Sequence, residues 1–258
     1  MSDSLLLAAS VTDPALVPAA EAAGLDLAII ETGPLDPLLV AARAAAATTT
    51  IGIVAAAPTT TTEPFLVSTA IATIDFVALG RAGWLAETLP AEQAQGLVTW
   101  EVPGDVVADA REHIAAVRAL WGSWEEGAEI RDRATDRFLD RDRVHHTNYA
   151  GEHLSVRGPS ITPRPPQGQP PVVVRDPALA DLADVLLVAD PAGAPPARPG
   201  LVRLLEVDKA GPGGSDADGF DGLLLRGATA ADLAALARTP PADDDLLRAR
   251  LGLDEVTA

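Results

Sequence analysis

Over its first ninety residues the chain alternates short unbroken apolar runs with segments of helical length, and that rhythm restricts the folds open to it. Residues 4–10 (SLLLAAS) and 25–30 (LDLAII) are apolar at nearly every position, as expected of strands covered on both faces. Residues 14–23 between them read as a helix that begins at Pro14 and stops before Gly24, the usual punctuation of a helix. Residues 36–47 read as the next helix and 50–56 as the third strand. Glu63 and Pro64 then open a helix reaching about Ala78, where the missing proline N–H costs nothing in a first turn. Residues 81–87 form the fourth strand. Strands separated by helices of roughly ten to fifteen residues imply crossover connections, hence a parallel sheet.

Downstream the rhythm weakens and then returns. Residues 105–121 predict a long amphipathic helix with Val106, Ile114, Val117 and Leu120 on its buried stripe. From 125 to 171 the pattern dissolves into charges and prolines, with one hairpin-like piece at 153–156. A stretch of that length without regularity is functional or disordered more often than not. Residues 172–174, 184–188, 201–207 and 219–225 then read as strands. The connections at 192–200 and 211–218 are rich in Pro, Gly and Asp, and short helices are expected at 229–237 and 245–253. Eight strands with intervening helices add up to an α/β fold, a (β/α)8 TIM barrel with a shortened second half. Its 258 residues suit a single domain, 1–258.

Charge and composition exclude several function classes. Thirty-seven acids against 19 bases give a net charge of −18, a field that disfavours nucleic acid and anionic membrane surfaces. The absence of cysteine removes disulfides, thiolate nucleophiles and cysteine-ligated metals. The N-terminal run lacks a basic flank and reads as a core strand. No apolar stretch reaches the roughly 18 residues of a membrane span, so a cytoplasmic protein is the simplest expectation. His145, His146 and His153 lie near Asp140 and Asp142 without a recognised ligand spacing, and no metal site is expected. His113, on the long amphipathic helix, reads as a packing residue. No nucleophile–base pair stands out, and no catalytic residue is assigned.

Two ordered blocks are more specific. One is 59–84, TTTTEPFLVSTAIATIDFVALGRAGW. The other begins Leu120-Trp121-Gly122-Ser123-Trp124, continues through Ile130-Arg131-Asp132, and ends with 149–168, YAGEHLSVRGPSITPRPPQG. Together they resemble the bacterial-luciferase-like flavin monooxygenases, in the branch of the nitrilotriacetate, pristinamycin and dibenzothiophene-sulfone monooxygenases. The resemblance implies a luciferase-like barrel with 125–171 inserted at its mouth after the fourth helix. It also implies FMN, delivered reduced by a separate flavin reductase and used with oxygen on a small organic substrate, and it makes a homodimer a reasonable expectation.

Barrel chemistry sits at the C-terminal strand ends. There the resemblance points to Thr59 and Thr60 as flavin contacts, although threonines equally suit a turn and a helix start. Trp84, Glu87 and Arg175 complete the candidate cofactor-binding set. An indole flanked by apolar strand residues is more often core, and Arg81 also reads as structural, anchoring the turn into its strand.

The chain departs from the family pattern at several positions. Leu85 stands where the family carries an Asn for the flavin ring, and Leu66 and Thr69 fall among positions that carry a His and an Arg. Thr32 replaces an Asp, with Glu31 beside it. Asp176 and Pro177 occupy the loop that should offer backbone N–H groups to the flavin phosphate. These changes predict weak or absent FMN binding and a non-catalytic partner of a full-length relative. An active two-component monooxygenase is the second reading, and a deazaflavin-binding barrel the third. A small ligand is expected between the 57–63 turn and residues 84–87, under part of the insertion. Thr59, Thr60 and Glu87 would supply polar contacts there, with Leu66, Trp84 and Leu85 as an apolar wall.

Overall fold

The computed structural model describes residues 5–208, 218–236, 238–239, 241 and 245–254. In chain order its first half is β1 (Leu6–Val11), α1 (Leu16–Ala22), β2 (Leu27–Ile30), α2 (Pro37–Ala47), β3 (Gly52–Pro58), α3 (Pro64–Val77), β4 (Ala82–Glu87), α4 (Ala91–Gln95) and α5 (Val106–Trp121). The inserted segment holds β5 (Glu129–Asp132), β6 (Arg137–Leu139), β7 (Tyr149–Ala150) and β8 (Ser155–Val156). The second half continues with β9 (Val172–Val174), β10 (Val185–Val188), β11 (Val202–Asp208), β12 (Gly222–Arg226), α6 (Ala230–Ala234) and α7 (Leu247–Arg250).

Eight of these strands close a parallel barrel in the order β1-β12-β11-β10-β9-β4-β3-β2. The (β/α)8 barrel expected from the alternation is therefore present. Its second half is reduced as expected: short 3-10 turns, Pro177–Leu182 and Pro191–Gly193, replace the helices after β9 and β10. The 211–218 connection lies almost wholly outside the described residues.

The expectation of irregular chain across the insertion needs correction. Residues 129–139 form an antiparallel hairpin, β5 with β6, beside the smaller β7–β8 pair. Most side chains of β5 and β6 are exposed or half-buried, so neither strand needs the apolar alternation that reveals a strand in sequence. Gln167 fastens the end of the insertion to the barrel. Its amide donates to the buried Asp75 carboxylate of α3 at 2.6 Å and to the Ala82 carbonyl at 2.8 Å.

Because side chains alternate along a strand, the barrel carries two apolar layers. Ala28, Ile30, Ile53, Ala55, Trp84 and Val174 face outward against Val17, Ile71, Ile114 and Trp121 of the helices. Leu27, Ile29, Val54, Leu85, Val173 and Leu204 face the barrel axis. Leu247 of α7, with Leu251 and Leu253, joins that inner cluster from the N-terminal end of the barrel. Gly52 makes the space, since a Cβ there would stand 2.7 Å from both Leu247 and Leu27. Arg81 is structural as expected, donating to the Ile51 carbonyl at 2.6 Å and the Thr48 carbonyl at 2.9 Å. Among the described residues, no helix is long and apolar enough to cross a membrane.

Candidate functional site

Continuing each inward-facing column by two residues places charge above the apolar interior at the C-terminal mouth. Ile29 is followed by Glu31, Leu85 by Glu87, Val173 by Arg175, Leu204 by Glu206 and Leu224 by Arg226. These side chains meet. Arg175 donates through Nη2 to Glu31 and through Nε to Glu206 at 2.9 Å. Arg226 lies 3.5 Å from the other Glu206 oxygen and 3.1 Å from Asp208. Thr32 Oγ1 donates to Glu87 at 3.2 Å. Glu31 on β2 and Glu206 on β11 stand on opposite sides of β9 in the barrel order, so Arg175 spans the opening. Burial lowers the Arg175 pKa, but the charges of Glu31 and Glu206 outweigh it and hold the guanidinium above its usual range. Each pair contributes on the order of 1 kcal/mol at this degree of exposure.

The loop after β9 is also self-contained. The Asp176 carboxylate accepts from Ala178 N at 2.9 Å, and Leu179 N donates to the Asp176 carbonyl at 3.0 Å. Pro177 between them has no N–H. Arg175, Asp176 and Pro177, with Leu85, Glu87, Val106 and Val107, line a cleft of about 580 Å³ between the ends of β4 and β9.

The candidate set expected from the sequence divides among three places. Glu87 and Arg175 share the mouth cleft. Thr59 and Thr60 line a different cavity of about 260 Å³, between the β3–α3 turn, α5, and residues His153 and Leu154 of the insertion. Thr59 is tied to the end of β4, with N and Oγ1 both donating to the Glu87 carbonyl, at 2.9 and 3.3 Å. Trp84 belongs to neither cavity. It is fully buried behind the sheet, donates to the Ala57 carbonyl at 3.0 Å, and packs on His113 and Trp121. Leu66 is 56% exposed on α3 and lines neither of these cavities. The apolar wall expected from Leu66, Trp84 and Leu85 together is therefore not assembled, because Trp84 and Leu85 point to opposite faces of β4.

Two of the three insertion histidines serve local structure. His145 Nε2 lies 2.6 Å from Glu125, and His146 Nδ1 lies 2.7 Å from the Gly158 carbonyl. Among the described residues, no group of three His, Cys, Asp or Glu side chains is placed to hold a metal ion.

Three polar residues here carry no sequence expectation, Glu206, Arg226 and Asp109, while His113 packs as expected. The first two were legible as charges ending strands otherwise apolar at inward positions. Asp109 and His113 stand four apart on α5 and so share a face. Both are buried, at 7% and 1% exposure. Burial pushes the Asp109 carboxyl up, with Thr60 pulling against it, and pushes His113 down to about 3, so its imidazole is neutral.

The luciferase-like monooxygenase family model matches residues 14–181. One pristinamycin IIA synthase polypeptide, from Streptomyces pristinaespiralis, is 36% identical over 254 residues, covering 92% of this chain and 87% of that protein. Nitrilotriacetate monooxygenase component A of Aminobacter aminovorans is 40% identical over 114 residues, which is 43% of this chain but only 25% of that much longer protein. Among solved structures, the EDTA monooxygenase of Chelativorans sp. BNC1 superposes with a TM-score of 0.73 at 14% identity, over 97% of this chain and 99% of that one, a likeness of fold alone. The chain belongs to the luciferase-like monooxygenase family, in the branch of the pristinamycin, nitrilotriacetate and dibenzothiophene-sulfone enzymes, of which it is a short member.

Proposed function

We propose that this chain is the non-catalytic barrel of a two-subunit flavin-dependent monooxygenase, paired with a longer family member that holds the flavin. One observation carries the proposal. At the corner where the family grips the FMN phosphate, Arg175 is committed to two carboxylates and Asp176 consumes the Ala178 N–H. A phosphate dianion entering there meets Asp176 at close range, a repulsion on the order of a few kcal/mol in a partly buried site. Leu85 offers the flavin ring neither donor nor acceptor. The residues present do not fit FMN.

The relative of comparable length supports this reading, since it is named as one subunit of a synthase. The outer face of α3 suits pairing: Leu66, Phe76 and Val77 are exposed there, with Leu39 exposed on α2. Scattered apolar residues are ordinary, but several on adjoining helices favour a protein contact. Co-expression with a longer family member tests the proposal. A stable heteromer whose flavin is held by the longer chain is expected. A chain that stays monomeric or pairs only with itself, and turns over reduced FMN alone with a flavin reductase, would overturn it.

The second reading, an active two-component monooxygenase, is favoured by the mouth cleft itself, whose volume lies within the range of small-molecule sites. It requires Arg175 to leave Glu31 for the phosphate. A deazaflavin with a different phosphate grip is the remaining cofactor, and titrating the purified chain with FMN and with a deazaflavin separates the readings.

A further inference from the structure

Residues 149–156 of the insertion, YAGEHLSV, rest on α5 while burying almost nothing. Tyr149, Leu154 and Val156 are half-buried, and the other side chains of the segment are exposed. Internal support is slight as well. The β7–β8 ladder has two residue pairs, and Gly151 N donates to the Leu154 carbonyl at 2.9 Å. A lone two-stranded hairpin is marginal in water, so what holds this one lies outside it.

Among the described residues, every hydrogen bond from 149–156 to the barrel ends on one side chain, Glu112 of α5. Its Oε1 accepts from Glu152 N at 2.7 Å, and its Oε2 accepts from His153 N at 2.9 Å and Leu154 N at 3.2 Å. Successive N–H groups converging in this way make a concavity suited to an anion, here filled by the chain's own carboxylate. Burial pushes the Glu112 carboxyl up, but the three donors outweigh it and hold it below its ordinary value. Gly151 permits the approach, since a Cβ there would collide with the Glu112 carboxylate.

The tip of the same turn closes a cavity. His153 and Leu154 form one wall of the space of about 260 Å³ whose other walls include Thr60, Trp100 and Asp109. Asp109 lies one helical turn before Glu112 on α5, so the carboxylate stands at the rim of that space. A segment with few buried side chains and a single point of attachment belongs to the part of a fold that opens locally.

We propose that the 149–156 turn is a lid over this cavity, held shut by the Glu112 carboxylate as its latch. When the latch lets go, the turn leaves α5 as a unit and the cavity admits a small molecule, while the barrel stays folded. The device is separate from the barrel mouth and does not depend on whether the chain holds a flavin.

The chain has no cysteine, so Thr60→Cys, on the cavity wall at a position 6% exposed, supplies a single buried thiol. Its rate of reaction with a thiol reagent reports opening of the cavity, and hydrogen exchange of the 152–154 amides reports the latch. Glu112→Ala removes the acceptor. Gly151→Ala keeps the carboxylate and displaces it with the new methyl group. Each variant is expected to speed both readouts at least about tenfold, with the β3 and β4 amides and the urea midpoint unchanged. If Glu112→Ala fails to fold, Gly151→Ala decides, and loss of folding in both would make the turn part of the barrel's folding unit and overturn the proposal. Unchanged exchange at 152–154, faster exchange without faster labelling, or exchange that rises throughout the barrel would overturn it as well.

Discussion

Arg175 holds the mouth together through its pairs with Glu31 and Glu206. Removing its charge leaves Glu206, whose side chain is only 4% exposed, with Arg226 alone, and strips Glu31 of its partner. Arg175→Met should therefore destabilise the fold by about 1–3 kcal/mol, less than a fully buried pair would lose because Arg175 is itself 35% exposed. Urea unfolding checks this, and an unchanged midpoint would show the network to be ornamental. The neighbouring loop offers the converse experiment. Asp176→Ser with Pro177→Gly removes a charge and restores an N–H, and should raise FMN affinity at least about tenfold over the natural chain. No gain would move the obstacle from the phosphate corner to the ring position at Leu85. The two loop residues that matter most were readable in the sequence, because proline's missing donor and aspartate's charge are intrinsic. The opposed orientations of Trp84 and Leu85 were equally readable. Trp84 and Leu85 are adjacent in a strand and must face opposite sides, so both could not line one pocket. The pairing of Arg175 with Glu31 was not readable, since 144 residues separate them and only barrel closure brings them together.

Among the elements, α3 carries the most testable surface and the most unusual buried group. If its outer face pairs with a longer relative, Phe76→Asp should abolish co-purification of the two chains while leaving the isolated chain folded, as judged by circular dichroism. Retention of the complex would place the contact elsewhere. On its inner side, burial raises the Asp75 carboxyl from 3.8 to about 6, against the donors Gln167 and Ala82. A folded-state pKa raised in this way means the folded chain takes up a proton that the unfolded chain does not. The corresponding stability is fully present below about pH 3.8 and is lost as pH rises through about 6. Carboxyl-carbon NMR should find the Asp75 midpoint near 6, and a midpoint below 4 would contradict the assignment. Most first-half elements were legible because apolar strands alternate there with segments of helical length, whereas the five-residue α4 left no such trace. The β5–β6 hairpin was not, because strands that bury little leave no period-two trace.

At the scale of the whole molecule, a complete barrel carries a mouth cleft bridged by its own charges. The parallel strand order was legible from alternation, since crossover connections leave few topologies. Whether the mouth still accepts a cofactor was not, because that depends on how distant strand ends pair. The charge of −18 acts in the same direction as the local geometry, repelling a phosphate dianion at range and less so at high salt. The family supplies the scaffold, but activity resides in a few grafted side chains, and on the proposed reading these no longer serve a flavin. The most direct measurement is an equilibrium titration of the purified chain with FMN in its oxidised and reduced forms, at physiological ionic strength. A phosphate corner occupied in this way predicts no saturable binding below about 100 µM in either form. A dissociation constant near about 1 µM, with the phosphate ordered beside Asp176, would contradict it.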